Sequence, residues 1–242
     1  MSNPTWIFIV GPYRTASTTE YQIVRDLVEE TDSGKGVGYY DQAGWKVQNF
    51  DDPEHGEMIV CKNFEYLPDL DPNVRAFFTE HRLKACATIR NPLDIATSMK
   101  LNAKKLGNDN WSFEKTVTEF FPLWLGNFEQ WVNNLHPDRI IVLRFEWFIE
   151  HLYEATESLA EFLNIEKDDK LVKRIAVKYN KKSIMHRKDK AHKKGEKEDE
   201  WLPSIPPIVT GRSGAYREHL TPGEIELVKD ANGAFMRRWN YG

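Results

Sequence analysis

Near the N-terminus, Trp6-Ile7-Phe8-Ile9-Val10 forms a continuous apolar run that stops at Gly11-Pro12. Such a run suits a strand buried on both faces, as in a parallel sheet covered by helices. After a short polar stretch, Ser17 to Glu30 repeats apolar residues at i,i+4: Ile23 with Leu27, and Val24 with Val28. That spacing lines one face of a helix. Strand, tight loop, helix is therefore the opening order. It constrains the rest of the chain, because a strand buried on both faces needs partner strands and helical cover. The chain supplies both. Met58-Ile59-Val60-Cys61, Ala85-Cys86-Ala87-Thr88-Ile89 and Arg139-Ile140-Ile141-Val142-Leu143 read as further strands. Leu93 to Lys105 (with Pro92 near its first turn), Phe113 to Asn134 (interrupted at Pro122), Leu152 to Leu163 and Thr221 to Arg238 read as helices. The expected fold class is α/β: a single domain over 1–242 with a central, mostly parallel β-sheet flanked by helices. Gly34-x-Gly36-x-Gly38 has the wrong spacing for a dinucleotide fingerprint and no strand before it, so it reads as a loop.

At 242 residues the chain is long enough to build a core without staples. Its 8 Trp, 9 Tyr and 13 Phe argue against disorder. A net charge of −4 argues against a nucleic-acid binder driven by overall charge. Cys61 and Cys86 are the only cysteines, which excludes a disulfide scaffold or a cysteine-rich zinc module. Apolar runs fall far short of a bilayer span, and Met1 to Thr5 lacks the basic start of a secretory signal. A soluble, cytoplasmic protein is expected.

Gly11-Pro12-Tyr13-Arg14-Thr15-Ala16-Ser17-Thr18-Thr19 joins the first strand to the first helix. Backbone N–H groups at a helix start point outward, and the helix dipole favours an anion there. Arg14 adds a charge and a donor fork, and Ser17, Thr18 and Thr19 add hydroxyls. A Walker A loop would need Gly and Lys where this chain has Ala16 and Ser17, so an ordinary P-loop NTPase is disfavoured. A second cation, Arg90, ends the third predicted strand, with Ser98 in the helix that follows. Strand ends in a parallel sheet face the ligand crevice. Gly211-Arg212-Ser213-Gly214 offers a third Arg on flexible backbone. Together these describe a ligand with two separated phosphates.

On these motifs the chain resembles the sulfotransferases that use PAPS, 3′-phosphoadenosine 5′-phosphosulfate. Arg14-Thr15-Ala16-Ser17-Thr18 resembles the family's 5′ loop, [KR]-[ST]-G-[ST]-T, departing only by Ala for Gly. Arg90-Asn91-Pro92-Leu93-Asp94-Ile95-Ala96-Thr97-Ser98 matches the 3′-phosphate motif R-[ND]-P-x-D-x-x-x-S. Arg212-Ser213-Gly214, with Tyr216 and Leu220-Thr221, is similar to the later R-x-G segment, and Leu143-Arg144-Phe145-Glu146-Trp147 resembles the [RY]-[YF]-E-D that follows the family's fourth strand. The resemblance implies that Arg14, Thr15, Ala16, Ser17, Thr18 and Thr19 hold the 5′-phosphosulfate. Arg90, Ser98 and Arg212, with Ser213 and Gly214, would hold the 3′-phosphate. Phe145 would contact adenine or simply pack in the core.

The implied reaction transfers a sulfuryl group from PAPS to a hydroxyl or amine, leaving PAP, with no metal. A fixed cation aimed at the departing oxygen stabilises the transition state. Arg14 stands where the family places that cation, and Lys62 matches the Lys of the family's K-x-H. The His position holds Phe64. The general base is then Glu65, with His55 and Asp41 as further candidates. The alternatives are a nucleotide kinase-like phosphoryl transferase, needing ATP and Mg²⁺, or a non-catalytic nucleotide-binding module. The acceptor, a small molecule or a saccharide, would meet the aromatic-rich stretches around Tyr39, Tyr40, Trp45, Trp111, Phe120, Phe121 and Trp124. Lys173 to Lys197, rich in Lys and Arg, reads either as a mobile solvated surface or as a basic flap over the anion.

Overall fold

The computed structural model describes residues 4–39, 57–69, 72–80, 82–166, 168–194 and 212–242. Within them, β1 (Thr5–Ile9), β2 (Gly34–Tyr39), β3 (Met58–Lys62), β4 (Leu83–Ile89) and β5 (Ile140–Arg144) form one sheet. All its pairings are parallel, in the order β2-β3-β1-β4-β5. The helices of the first half are α1 (Ser17–Glu30), α2 (Pro72–Thr79), α3 (Pro92–Lys105), α4 (Phe113–Lys115) and α5 (Phe121–Asn134). After β5 come α6 (Phe145–Glu150), α7 (Leu152–Leu163), α8 (Asp169–Tyr179), α9 (Lys181–Lys193), α10 (Tyr216–His219) and α11 (Pro222–Arg238). The α/β class read from the sequence is what the chain adopts.

Central β1 explains its own composition. Trp6 pairs with Ile59 of β3 on one side and Leu83 of β4 on the other. Phe8 and Val10 join a core with Phe128, Trp131 and Phe235, while Ile7 and Ile9 join Ile23, Leu27, Leu159 and Ile175. Each face of the strand thus meets a separate helical layer, and from Trp6 to Ile9 every residue is apolar and buried. The helix ends follow local chemistry. The Asn91 side chain accepts from Leu93 N at 3.0 Å and starts α3 with Pro92 in its first turn. Thr221 and Glu224 form a capping box on α11. A π-helical stretch, Thr116–Phe120, leads into α5, and Pro122 falls in that helix's first turn. The expected interruption is a change of helical pitch and not a break.

One expectation is corrected, and some helices had no counterpart in the sequence reading. The glycine stretch read as a loop is the edge strand β2. A Cβ on Gly34 would lie 1.8 Å from Met58 O, and one on Gly36 2.4 Å from the Arg25 side chain. Glycine is there because β3 and α1 press on the strand, a close approach that composition alone disguises as a turn. Helices α2 and α6 were not foreseen. The basic stretch, read as either a solvated surface or a flap, is helical over most of its described length, in α8 up to Tyr179 and in α9 from Lys181 to Lys193. Leu171, Val172, Ile175, Ala176 and Tyr179 form a buried stripe on α8 that the surrounding lysines hide from a composition reading. Residues 195–197 and the predicted loop at 201–207 lie outside the described residues.

From β1 the chain builds β2 and β3 on one side, then crosses to build β4 and β5 on the other. The order reverses beside β1. In a parallel sheet that reversal opens a crevice at the carboxyl ends of the strands. The residues following β1, β3, β4 and β5 converge there.

Candidate active site

The β1–α1 loop is tightly built. A Cβ on Gly11 would sit 2.7 Å from Thr88 O. Thr15 donates to Pro12 O at 2.7 Å, and its hydroxyl lies 3.2 Å from that of Thr88. Arg14 and Ala16 both adopt left-handed backbone, with φ of 66° and 72°. Ala16 occupies the N-cap of α1 and brings no side-chain cap. The first N–H groups of α1 therefore receive no bond from the N-cap side chain.

Three cations gather around this loop. Arg14 donates from Nε to Ser98 Oγ at 3.0 Å, and burial pushes its pKa down. Lys62, at the end of β3, is 2% exposed and donates from Nζ to Thr18 Oγ1 at 2.6 Å. Burial lowers its pKa to about 7, with Glu20 pulling the other way and Arg14 adding to the fall. Arg90, at the end of β4, is 3% exposed. It lies over the Phe145 ring at 3.9 Å and donates from Nη1 to Arg14 O (3.1 Å) and from Nη2 to Arg212 O (3.0 Å). Burial lowers its pKa to about 10, opposed by Asp94 and Glu146. Its Nε is buried with no hydrogen-bond partner among the described residues. Two motifs far apart in sequence are thus one site: Arg14 reaches Ser98, and Arg90 reaches back to Arg14.

Most of the sequence-predicted residues are brought together here, and others are not. Ser17 and Thr19 are buried in the first turn of α1. Phe145 is buried at 5% exposure and serves as the platform under Arg90. Arg212 departs from expectation. Its backbone carbonyl reaches Arg90, but its guanidinium is exposed and paired with Glu218 at 2.8 Å. Ser213 is exposed. Gly214 N donates to Asp94 Oδ2 at 2.8 Å, and Tyr216 N to Asp94 Oδ1 at 3.2 Å, so Asp94 pins this segment to α3. Glu65 is exposed beyond β3, with its backbone held by Asn63 Oδ1 (2.8 Å) and Trp131 Nε1 (3.0 Å). Phe64 stacks on Tyr13 at 3.8 Å, and Tyr13 meets Trp124 at 4.6 Å. Phe120 stacks on Trp124 at 5.9 Å, whereas Phe121 belongs to the core. Tyr40, Asp41, Trp45 and His55 lie outside the described residues.

One acid entered the sequence reading only as part of a motif, and a second escaped it. Glu146 Oε1 accepts from Asn91 N at 3.3 Å, and Oε2 from Tyr241 at 3.2 Å, which sets a carboxylate behind Arg90. Glu20 is completely buried in the first turn of α1. Burial raises its pKa to about 8, against the pull of Thr88 and Lys62. Thr88 stands near enough to be felt but makes no well-formed hydrogen bond to either oxygen. The signal for Glu20 was present: it lies three, four and seven residues before Ile23, Val24 and Leu27, on the apolar face.

This architecture and site carry a family identity. The sulfotransferase domain matches residues 4–240, and the chain belongs to that family. No curated protein matches it in sequence. Among solved structures it is similar to a mouse sulfotransferase complexed with PAP, at 14% identity and a TM-score of 0.68, covering 100% of this chain and 90% of that one. It is also similar to retinol dehydratase in complex with androsterone and the inactive cofactor PAP, at 15% identity and a TM-score of 0.66. A retinol and PAP complex of retinol dehydratase aligns at 13% identity and a TM-score of 0.68. Both retinol dehydratase matches cover 98% of this chain and 82% of theirs. At these identities the likeness is one of fold. No described helix is long and apolar enough to cross a membrane.

Proposed function

We propose that this protein transfers a sulfuryl group from PAPS to a hydroxyl or amine of a small-molecule or saccharide acceptor. The observation that carries the reading is the linkage of the two anion motifs through Arg90, Arg14 and Ser98. A bisphosphorylated nucleotide suits such a site better than a single phosphate does. The site fits that ligand in two further ways. Arg90 keeps a buried Nε unbonded among the described residues, and α1 starts without a side-chain cap. Burial lowers the pKa of Arg14, Lys62 and Arg90 alike, a cost that a bound anion offsets.

PAPS would supply the activated sulfuryl group on a phosphate leaving group. The β1–α1 loop, with Thr15, Ala16, Ser17, Thr18 and Thr19, holds the 5′ end. Arg14 and Lys62 stabilise charge developing on the departing oxygen. Arg14 acts electrostatically, since an arginine does not give up its proton. Arg90 and Ser98 hold the 3′-phosphate, and the segment of Arg212, Ser213 and Gly214 closes the site through its backbone. Glu65 is the general base for a hydroxyl acceptor. The ring cluster of Tyr13, Phe64 and Trp124 offers a flat wall beside Lys62, whose Nζ lies 4.8 Å from the Phe64 centroid. In the family's K-x-H that place belongs to histidine. Phe64 there also favours a second reading, a PAP-binding module without transfer.

Calorimetry with PAP and AMP tests the nucleotide. PAP should bind at least tenfold more tightly, as expected when a 3′-phosphate gains charge-assisted bonds. Equal affinities refute the two-anion site. Incubation with PAPS and a panel of phenols, alcohols, amines and saccharides then separates transfer from binding alone.

A further inference from the structure

Glu20 is an acid where helix packing calls for an apolar side chain. It shares the face of α1 that carries Ile23, Val24 and Leu27, and it has no exposed surface. Neither carboxylate oxygen has a hydrogen-bond partner among the described residues. A buried acid left this way is costly as a carboxylate and tolerable as a neutral acid. Its backbone N–H bonds Ala16 O at 3.0 Å, so it sits directly behind the β1–α1 loop. The groups that face it are Lys62 from β3 and Thr88 and Cys86 from β4, and Lys62 is faced in turn by Arg14. Lys62 directs Nζ to Thr18 Oγ1 of the loop, and neither Glu20 oxygen takes a hydrogen bond from it.

We propose that Glu20 is a positioning residue for the cation cluster. As the neutral acid it leaves the Lys62 charge to an anion in the β1–α1 loop, and as the carboxylate it opposes that anion with a charge of its own. The inference rests on the nucleotide site proposed above and adds a pH gate to it. Burial holds Glu20 protonated up to about pH 8 and frees Lys62 of its proton from about pH 7. A bound anion favours the protonated form of both groups. Binding therefore takes up protons, and affinity must fall as pH rises through this range. Glutamine copies the shape of the neutral acid and cannot ionise. A residue that merely packs would shift affinity equally at every pH.

The test is calorimetric titration of the full chain with PAP from pH 6 to pH 9.5. The proteins compared are wild type, Glu20→Gln and Glu20→Met, with folding checked by circular dichroism. At pH 6 Glu20→Gln should match wild type within about twofold, because Glu20 is already neutral there. At pH 9.5 it should bind PAP roughly tenfold more tightly than wild type, one pKa unit's worth of linkage. Proton uptake on binding, read from buffers of different ionisation heat, should fall in step. Glu20→Met should show the same flattened alkaline limb. Lys62→Met should remove the other part of the pH dependence. An unchanged alkaline limb in Glu20→Gln, or the same weakening at all pH values, overturns the inference. Failure of wild type to bind PAP at any pH instead overturns the nucleotide site itself, and the gate with it.

Discussion

Arg14 and Arg90 both follow strands of the sheet, yet their surroundings assign them different work. Arg90 is clamped by two carbonyls and a ring, and the proposed function uses it as a fixed receptor for a phosphate. Arg14 extends from the loop itself and touches the site through one hydroxyl. Arg14→Ala should lower kcat by roughly 10²–10³, as for loss of one oxyanion donor, with little change in PAP affinity. Arg90→Ala should mainly raise KM for PAPS and weaken PAP, leaving AMP nearly unaffected. The reverse pattern in steady-state kinetics would exchange the two roles. Arg90→Lys should fare little better than Ala, since an ammonium cannot make both carbonyl bonds while stacked on Phe145. Ala16 makes a separate point. Its φ of 72° puts a Cβ in the left-handed region. Ala16→Gly should relieve that strain, partly offset by the freer unfolded chain, for a net gain of up to about 1 kcal/mol. Urea unfolding would register it, and a loss of stability would mean that the methyl group packs usefully.

Among the elements, α1 does the most. It starts the candidate site, lines one core and anchors the basic helix α8. Asp26 is the anchor: its Oδ2 accepts from Lys178 Nζ at 2.6 Å and from Tyr179 Oη at 2.8 Å, and Arg25 meets Oδ1 at 2.8 Å. Burial pushes the Asp26 pKa up, but these three partners more than offset it and hold the group below the usual carboxylate range. A depressed folded-state pKa gives stability that is present above the unfolded value near pH 4 and lost as pH falls through the folded one. Asp26→Asn should therefore cost about 2 kcal/mol at pH 7, discounted for the half-exposed Lys178, and much less near pH 2. Denaturant unfolding at the two pH values checks this. A pH-independent difference would reduce Asp26 to a packing residue. The same anchor shows why the basic stretch misleads on composition: one face of α8 is apolar on every turn, and the charges lie on the other.

At the scale of the molecule, the sheet order places every candidate cation at one end of the strands and leaves the other end to structure. Beyond the anchored α8, helix α9 carries Lys181 to Lys193 and holds on through buried Ile184 and the Arg187 bond to Lys178 O at 2.8 Å. Limited trypsin digestion should cut between Lys181 and Lys197 before it reaches α8, because weakly packed segments open first. PAP should slow that cut if this basic end of the chain closes toward the nucleotide, and salt should weaken the protection. The same cleavage rate with saturating PAP would assign the segment to solvent. The match to retinol dehydratase and the mouse sulfotransferase over nearly the whole chain, at 13–15% identity, fits the same view. A fold of this kind tolerates wholesale change where only hydrophobicity is needed.

The strand–loop–helix start, the Arg90-to-Ser98 motif and the helix starts near Pro92 and Thr221 were legible in the sequence because each depends on near neighbours. An apolar run, a 3.6-residue period, a Pro in a first turn and a capping side chain all act within one or two turns of chain. Tertiary structure decided the rest. It made a strand of the glycine stretch, by pressing β3 against Gly34 and α1 against Gly36. It turned the Arg212 guanidinium to Glu218 and gave Arg90 a backbone carbonyl instead. It also sealed Glu20 behind the loop beside Lys62, forty-two positions further along the chain. A side chain's charge, direction and freedom depend on what folds against it, and neighbours so distant in sequence leave no mark on the local pattern.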